Sequence, residues 1–196
     1  MSISIINYNA GNVQSVLFAM KRLGVEATLT NDFEVIQNSD KVIFPGVGEA
    51  STTMDFLRKN GLDILIKSLK QPVLGVCLGM QLMCEYSEEN DTDCLGIFPV
   101  KVRKFIPNDS TIKVPHMGWN RIRNLNGGIF DASLEDEFVY FVHGYYAEKN
   151  EFMTATCDYI LPFSAAIQKD NFYATQFHPE KSGSVGERIL KNFLSI

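Results

Sequence analysis

The chain has 196 residues, 45% of them hydrophobic and 21% charged, long enough for one domain of ordinary size with a substantial core. Its formal net charge of -5, with both signs scattered along the sequence, argues against nucleic acid or an anionic membrane surface as the main partner. No apolar run approaches the ~20 residues of a membrane span, and Met1-Ser2 leads straight into a strand-like Ile3-Ser4-Ile5-Ile6 without a basic leader, so a cytoplasmic protein is expected.

In chain order, Ile3 to Asn7 reads as a strand, and Val13, Val16, Leu17, Met20 and Leu23 mark one face of a helix that Gly24 can end. Val25-Glu26-Ala27-Thr28-Leu29 alternates as a second strand, and Val42-Ile43-Phe44 makes a third. Helical patterns follow through Met54 to Leu57 and Leu62 to Leu69. Val73 to Val76 is the next strand, short and apolar as suits one covered on both faces. This alternation is the doubly wound α/β pattern, in which ligands sit beyond the carboxyl ends of the strands. Cys77 lies at such an end.

The acidic stretch Glu88 to Asp93 reads as an exposed loop. From about Leu95 strands and turns take over, with candidates at Val100 to Phe105, Phe138 to Val142, Phe152 to Cys157, Ser164 to Gln168 and Phe172 to Phe177. A last helix is expected near Ser184, where Ser184-Val185-Gly186-Glu187 reads as a capping box and Val185, Ile189, Leu190, Phe193 and Leu194 supply a buried stripe. No repeat, low-complexity segment or linker interrupts what reads as a single domain over 1–196. Cys77, Cys84, Cys94 and Cys157 form no C-x-x-C pair, and His116, His143 and His178 lie far apart, so neither a disulfide framework nor a zinc site is favoured.

The stretch Gly75-Val76-Cys77-Leu78-Gly79-Met80-Gln81 sets one cysteine between two glycines where a buried strand hands over to a helix. That is a nucleophile elbow with sulfur in place of oxygen. Such a turn strains the backbone of its nucleophile and brings neighbouring chain too close for side chains at the flanking positions. The start of a helix also favours negative charge, and so the reactive thiolate. A buried structural cysteine between two turn glycines is the competing reading. Downstream, Gln176-Phe177-His178-Pro179-Glu180-Lys181 ends another strand-like run. The proline predicts that His178 to Glu180 continue extended, so that His178 and Glu180 share a face, with the carboxylate placed to orient the imidazole. A plain strand end running into a helix would also fit that segment alone, but elbow and His/Glu pair each supply what the other lacks.

A thiolate attacking a carbonyl generates an oxyanion that needs waiting donors. The Leu78 amide and the turn Pro45-Gly46-Val47-Gly48 are the sources, since glycines on both sides of Val47 let its peptide group adopt an unusual orientation. An ordinary strand-to-helix turn is the alternative, and the Lys-Ser/Thr ending of a phosphate-binding loop is absent.

The Gly-x-Cys-x-Gly-x-Gln elbow with His-Pro-Glu resembles the class I, or triad, glutamine amidotransferases. Tyr8-Asn9-Ala10-Gly11-Asn12, Val114-Pro115-His116-Met117-Gly118-Trp119-Asn120 and Tyr140-Phe141-Val142-His143-Gly144-Tyr145-Tyr146 narrow the resemblance to the glutaminase subunits of imidazole glycerol phosphate synthases, of histidine biosynthesis. Gly144 is a small departure, serine or threonine being more usual there. The resemblance covers essentially the whole chain. It implies a doubly wound, mostly parallel central sheet with helices on both faces and an antiparallel strand extension in the second half. It also implies Cys77 as nucleophile, His178 as acid and base, Glu180 as its orienter, an oxyanion hole from Gly46, Val47 and Leu78, and Gly48, Gln81, His143, Gly144 and Tyr145 holding the amino-acid end of glutamine. No metal or organic cofactor is implied. The implied partner is a (β/α)8-barrel cyclase subunit in a heterodimer that receives the ammonia, with Asn12, Trp119, Tyr140 and Lys181 at the interface or its ammonia gate. Asn12 equally suits a helix cap, Trp119 and Tyr140 equally suit core aromatics, and Lys181 a solvated position. A class I glutaminase serving another synthase is the nearest alternative function; a cysteine peptidase or redox-sensing protein on a related sheet is the more distant one.

Overall fold

A computed structural model of the chain describes residues 1–8, 13–109 and 111–196. Ile3–Ile6 forms the first strand, β1, and its side chains alternate: Ile3 and Ile5 join one hydrophobic cluster, Ile6 the other. Helix α1 (Val13–Arg22) packs Val16 and Met20 into the first cluster, and β2 (Ala27–Thr30) then pairs parallel to β1. A five-residue helix, α2 (Phe33–Gln37), is capped by Asp32, whose carboxylate accepts from the Val35 N–H at 3.1 Å. Strand β3 (Lys41–Phe44) lies on the other side of β1, followed by α3 (Ala50–Lys59), α4 (Leu62–Ser68), β4 (Val73–Val76) and α5 (Leu78–Met83).

The loop expected over Glu88 to Asp93 is largely present as the turn at 88–91 of a hairpin between β5 (Tyr86–Ser87) and β6 (Thr92–Asp93), with Glu88, Asn90, Asp91 and Asp93 exposed; the strand β6 was not expected. The acidic side chains do not simply point to water: Glu88 accepts from Arg103 at 2.9 Å and Glu89 from the Ala50 N–H at 2.8 Å. Next come β7 (Lys101–Lys104), β8 (His116–Arg121), β9 (Phe138–His143), β10 (Tyr145–Ala147), β11 (Met153–Asp158), β12 (Pro162–Lys169), β13 (Phe172–Thr175) and the last helix, α6 (Gly183–Ser195).

The main sheet runs in the order β11-β12-β13-β4-β3-β1-β2. Pairings from β13 through β2 are parallel, and β12 and β11 extend the sheet antiparallel. Helices α1 and α6 cover one face, where Ile189, Leu190 and Phe193 meet Ile5, Ile43 and Leu74; α3, α4 and α5 cover the other against Val42, Phe44 and Val73. Each such fully buried aliphatic or aromatic side chain contributes roughly 1.5–3 kcal/mol. Strands β8 and β9 form a separate antiparallel ribbon, and β10, β7, β5 and β6 a small sheet beside it. Among the described residues no helix is long and apolar enough to cross a membrane.

The capping box expected at Ser184 does not form. Helix α6 begins at Gly183 after Ser182, whose hydroxyl donates to the His178 carbonyl at 2.6 Å, while Glu187 pairs with Arg22 at 2.9 Å.

Candidate active site

Cys77 follows β4 directly. Its N–H donates to the Thr175 carbonyl at 2.7 Å, continuing the β4–β13 pairing, and its carbonyl accepts from the Gln81 N–H at 3.2 Å to open α5. Between these commitments its backbone takes φ 53° and ψ -107°, a combination that costs a side-chain-bearing residue of order 1–3 kcal/mol. The elbow can sit so tightly because a Cβ at Gly79 would overlap the Phe44 carbonyl oxygen, and one at Gly46 would overlap the Gly79 amide nitrogen. The turn after β3 and the elbow after β4 are thus interlocked. The Tyr8 hydroxyl fixes the same turn by donating to the Pro45 carbonyl.

His178 leaves β13 with its N–H donating to the Tyr140 carbonyl of β9 at 2.9 Å. The chain then departs from the extended course expected of it, since Pro179 to Lys181 curls into a 3-10 turn. Proline's fixed φ suits the first position of such a turn, and the Lys181 N–H closes it on the His178 carbonyl at 3.0 Å. The turn still brings the carboxylate round to the ring, where Glu180 Oε1 accepts from His178 Nδ1 at 2.8 Å. Both side chains are buried, His178 being only 1% exposed. Among the described residues no hydrogen-bond partner at normal geometry meets His178 Nε2, and the nearby Cys77 sulfur acts on this ring. Burial opposes charge on this imidazole, but the Cys77 sulfur and the Glu180 carboxylate outweigh it and hold the ring's pKa above its ordinary value. The arrangement is a sulfur beside a proton-holding imidazole backed by a carboxylate, which is what acyl transfer requires.

In front of the sulfur opens a cavity of about 260 Å³. Val47 and Gly48 line it from the turn after β3, Cys77, Leu78 and Gln81 from the elbow, and His143, Gly144 and Tyr145 from the end of β9. Gly46, His178 and Glu180 lie behind the elbow along a narrow recess that Val47 also borders. Glu89 was not singled out in the sequence, yet it lines the cavity in front of Cys77 and, among the described residues of that lining, carries its formal charge. Its burial raises the carboxyl pKa, the Ala50 N–H opposes this, and the neighbouring Glu49 adds to it.

One hydrogen-bonded relay crosses the floor of the site. The Tyr145 carbonyl can only accept, so His143 donates to it through Nδ1 at 2.7 Å and must accept through Nε2 from His116 Nδ1 at 3.1 Å. Asn120 in turn approaches His116 Nε2 at 3.4 Å. Burial lowers the pKa of His143 to about 3 and of His116 to about 4, which keeps both neutral. The Tyr145 carbonyl also accepts from Gln81 Nε2 at 3.0 Å. The same nitrogen lies 3.0 Å from Gln176 Oε1, and Gln176 Nε2 lies 3.6 Å from the Cys77 sulfur.

The family model described as glutamine amidotransferase class-I matches residues 4–196. The chain belongs to that family. Within it, this amidotransferase is 60% identical over 196 residues to imidazole glycerol phosphate synthase subunit HisH of Bacteroides thetaiotaomicron, covering 100% of both chains. It is 62% identical to the subunit HisH of Bacteroides fragilis over the same span, again with 100% of each covered. A solved glutamine amidotransferase superposes with a TM-score of 0.73 at 17% identity, over 98% of this chain and 97% of that one, and so shares the fold.

The amidotransferase carries its aromatic pair on the outer face of the β8–β9 ribbon. Trp119 and Tyr140 are cross-strand partners with ring centroids 6.0 Å apart, and Lys181 Nζ sits 6.0 Å from the Tyr140 ring centre. Trp119 is 55% exposed, which rules out the core reading for it, and Tyr140 is only half-buried. Met117 and Phe138 on the same face are exposed as well. The inward positions are filled by His116, Val139, Phe141 and His143 instead. Asn12 lies outside the described residues.

Proposed function

We propose that this chain is the glutaminase subunit of an imidazole glycerol phosphate synthase. It hydrolyses glutamine to glutamate and ammonia and passes the ammonia to a (β/α)8-barrel cyclase subunit that makes imidazole glycerol phosphate in histidine biosynthesis. What carries the reading is the buried His178–Glu180 pair behind the elbow cysteine, in a chain 60% identical from end to end to a protein named as subunit HisH.

The Cys77 sulfur attacks the side-chain carbonyl carbon of glutamine. The developing oxyanion takes hydrogen bonds from the Leu78 amide and from the Gly46-Val47-Gly48 turn. His178 gives its proton to the departing nitrogen, ammonia leaves, and a glutamyl thioester remains on Cys77. The now neutral His178 takes a proton from water, whose oxygen attacks the thioester and releases glutamate, restoring the sulfur anion and the imidazolium. Glu180 fixes the ring through Nδ1 so that Nε2 does the proton transfer. Every step balances with these groups and water alone, without a metal or organic cofactor.

Gln81 has committed its amide nitrogen to Tyr145 and Gln176, so it meets the substrate through Oε1, an acceptor suited to an ammonium group. The Glu89 carboxylate in the same lining suits that group too. Gly48, Gly144 and Tyr145 offer main-chain contacts to the other end of the amino acid, and His143 holds the Tyr145 carbonyl in place. The outer ribbon face with Trp119 and Tyr140, together with Lys181, forms the contact with the cyclase. Docking there biases the Val47 peptide toward the oxyanion, so the free subunit is a poor glutaminase. The setting is the cytoplasm.

Mixing the chain with an imidazole glycerol phosphate synthase cyclase and its ligand tests the reading. Glutamine-dependent formation of imidazole glycerol phosphate, with faster glutamine hydrolysis than the free chain shows, is the expected result. Hydrolysis without any product from the cyclase would assign the ammonia to another acceptor.

A further inference from the structure

We propose that Gln176 is a positioning residue for the nucleophile, its side-chain amide donating a hydrogen bond to the Cys77 sulfur and thereby favouring the charged sulfur over the thiol. Gln176 is fully buried between β13 and His178, with its main-chain N–H held by the Ala165 carbonyl at 2.8 Å. The orientation of its amide is dictated by its neighbours. The Tyr145 carbonyl is an acceptor, so the Gln81 atom 3.0 Å from it is the nitrogen. That nitrogen, a donor, lies 3.0 Å from Gln176, so the Gln176 atom facing it is Oε1. Nε2 of Gln176 is left pointing at the sulfur, at 3.6 Å. An amide nitrogen donates and does not accept, so this contact is made in full only when the sulfur accepts. The group placed to take a thiol proton is the Val142 carbonyl, at the longer distance of 3.8 Å.

Among the described residues the other titratable groups around the sulfur are His178 with Glu180 behind it, Tyr8, whose pKa burial and the sulfur both raise, the neutral His143, and Glu89 in the same cavity lining, whose carboxyl burial pushes up. Gln176 thus supplies a donor whose charge does not change with pH. The inference rests on Cys77 being the nucleophile of the proposed glutaminase.

The test is the pH profile of Cys77 alkylation by iodoacetamide on the full chain, read by peptide mass spectrometry so that Cys84, Cys94 and Cys157 are scored separately. Gln176→Leu removes the donor. Gln176→Glu keeps an oxygen for Gln81 but sets an anion beside the sulfur. Both variants are expected to move the alkylation midpoint upward, Leu by about one pH unit and Glu by more. Variants that remain folded by circular dichroism and keep the wild-type midpoint would overturn the proposal. A second readout needs no variant: in the wild-type chain the Gln176 side-chain ¹⁵N–¹H resonances should shift with the midpoint of Cys77 alkylation, and resonances constant across that range would equally overturn it. Failure of wild-type Cys77 to react with a glutamine-mimicking diazo-ketone would instead sink the underlying active-site reading, whatever Gln176 does.

Discussion

The main-chain N–H of His178 donates to the carbonyl of Tyr140 at 2.9 Å, and Ser182 fastens the same two residues from the other side. The Ser182 hydroxyl accepts from the Tyr140 N–H at 2.9 Å and donates to the His178 carbonyl at 2.6 Å. The turn carrying the proposed base is therefore bonded to the ribbon whose outer face carries Trp119. Ser182→Ala leaves the Tyr140 N–H without this acceptor, while the His178 carbonyl keeps the Lys181 N–H, and the change is expected to lower stability by about 1–3 kcal/mol in a urea titration. Through the same fastening it should weaken the acceleration of glutamine hydrolysis by the cyclase.

Trp119 is exposed in the free chain and packs edge-on against Tyr140. Trp119→Ala is expected to leave the thermal midpoint nearly unchanged while weakening cyclase binding by roughly 30-fold, about 2 kcal/mol, in calorimetry. A drop in stability with intact binding would return this residue to a structural role.

At Gly79 a methyl group has nowhere to go but into the Phe44 carbonyl. Gly79→Ala should cost about 1–3 kcal/mol of stability, because the elbow and the turn after β3 must separate. Glutamine hydrolysis should fall further than stability alone explains, since the same separation moves Leu78 from the Gly46-Val47-Gly48 turn. Urea midpoints and initial rates on the folded variant check both halves.

His143 provides a stability prediction with a definite sign. Burial lowers its pKa to about 3, below the unfolded value of about 6.5, so the unfolded chain takes up the proton first. The stability it contributes is fully present above about pH 6.5 and is lost as pH falls toward about 3, at about 1.4 kcal/mol per pH unit. His116, lowered to about 4, acts in the same direction. Comparing urea midpoints from pH 7 to pH 5 should show a shallower slope for His143→Gln than for the wild type.

The parallel half of the sheet was legible because buried strands such as Val73–Val76 are short apolar runs, and the elbow because the His178–Glu180 pair downstream supplied what its glycines and cysteine alone left open. Other features left weaker marks. Helix α2 buries only Ile36 and so has no periodic stripe. Strand β8 exposes Met117 and Trp119 and turns inward a histidine, a glycine and an asparagine, which inverts the usual alternation. The His178–Glu180 contact looks the same from sequence whether the chain is extended or curled, because either course can bring residues two apart together. The hydroxyl that holds the turn before α6 is Ser182, two residues before the serine that matched the capping pattern. Glu89 and Gln176 gain their significance from partners across the fold, Ala50 for one and Gln81 and Cys77 for the other, and no local pattern announces such contacts.

In the proposed reaction the Cys77 sulfur attacks the side-chain carbonyl of glutamine. Incubation with 6-diazo-5-oxo-L-norleucine, a glutamine-shaped electrophile, followed by mass spectrometry of the intact chain and of its peptides, tests it directly. One adduct per chain is expected, on Cys77, protected by excess glutamine and absent in Cys77→Ala. An adduct on Cys84, Cys94 or Cys157 in place of Cys77, or equal labelling of the Cys77→Ala variant, would contradict it.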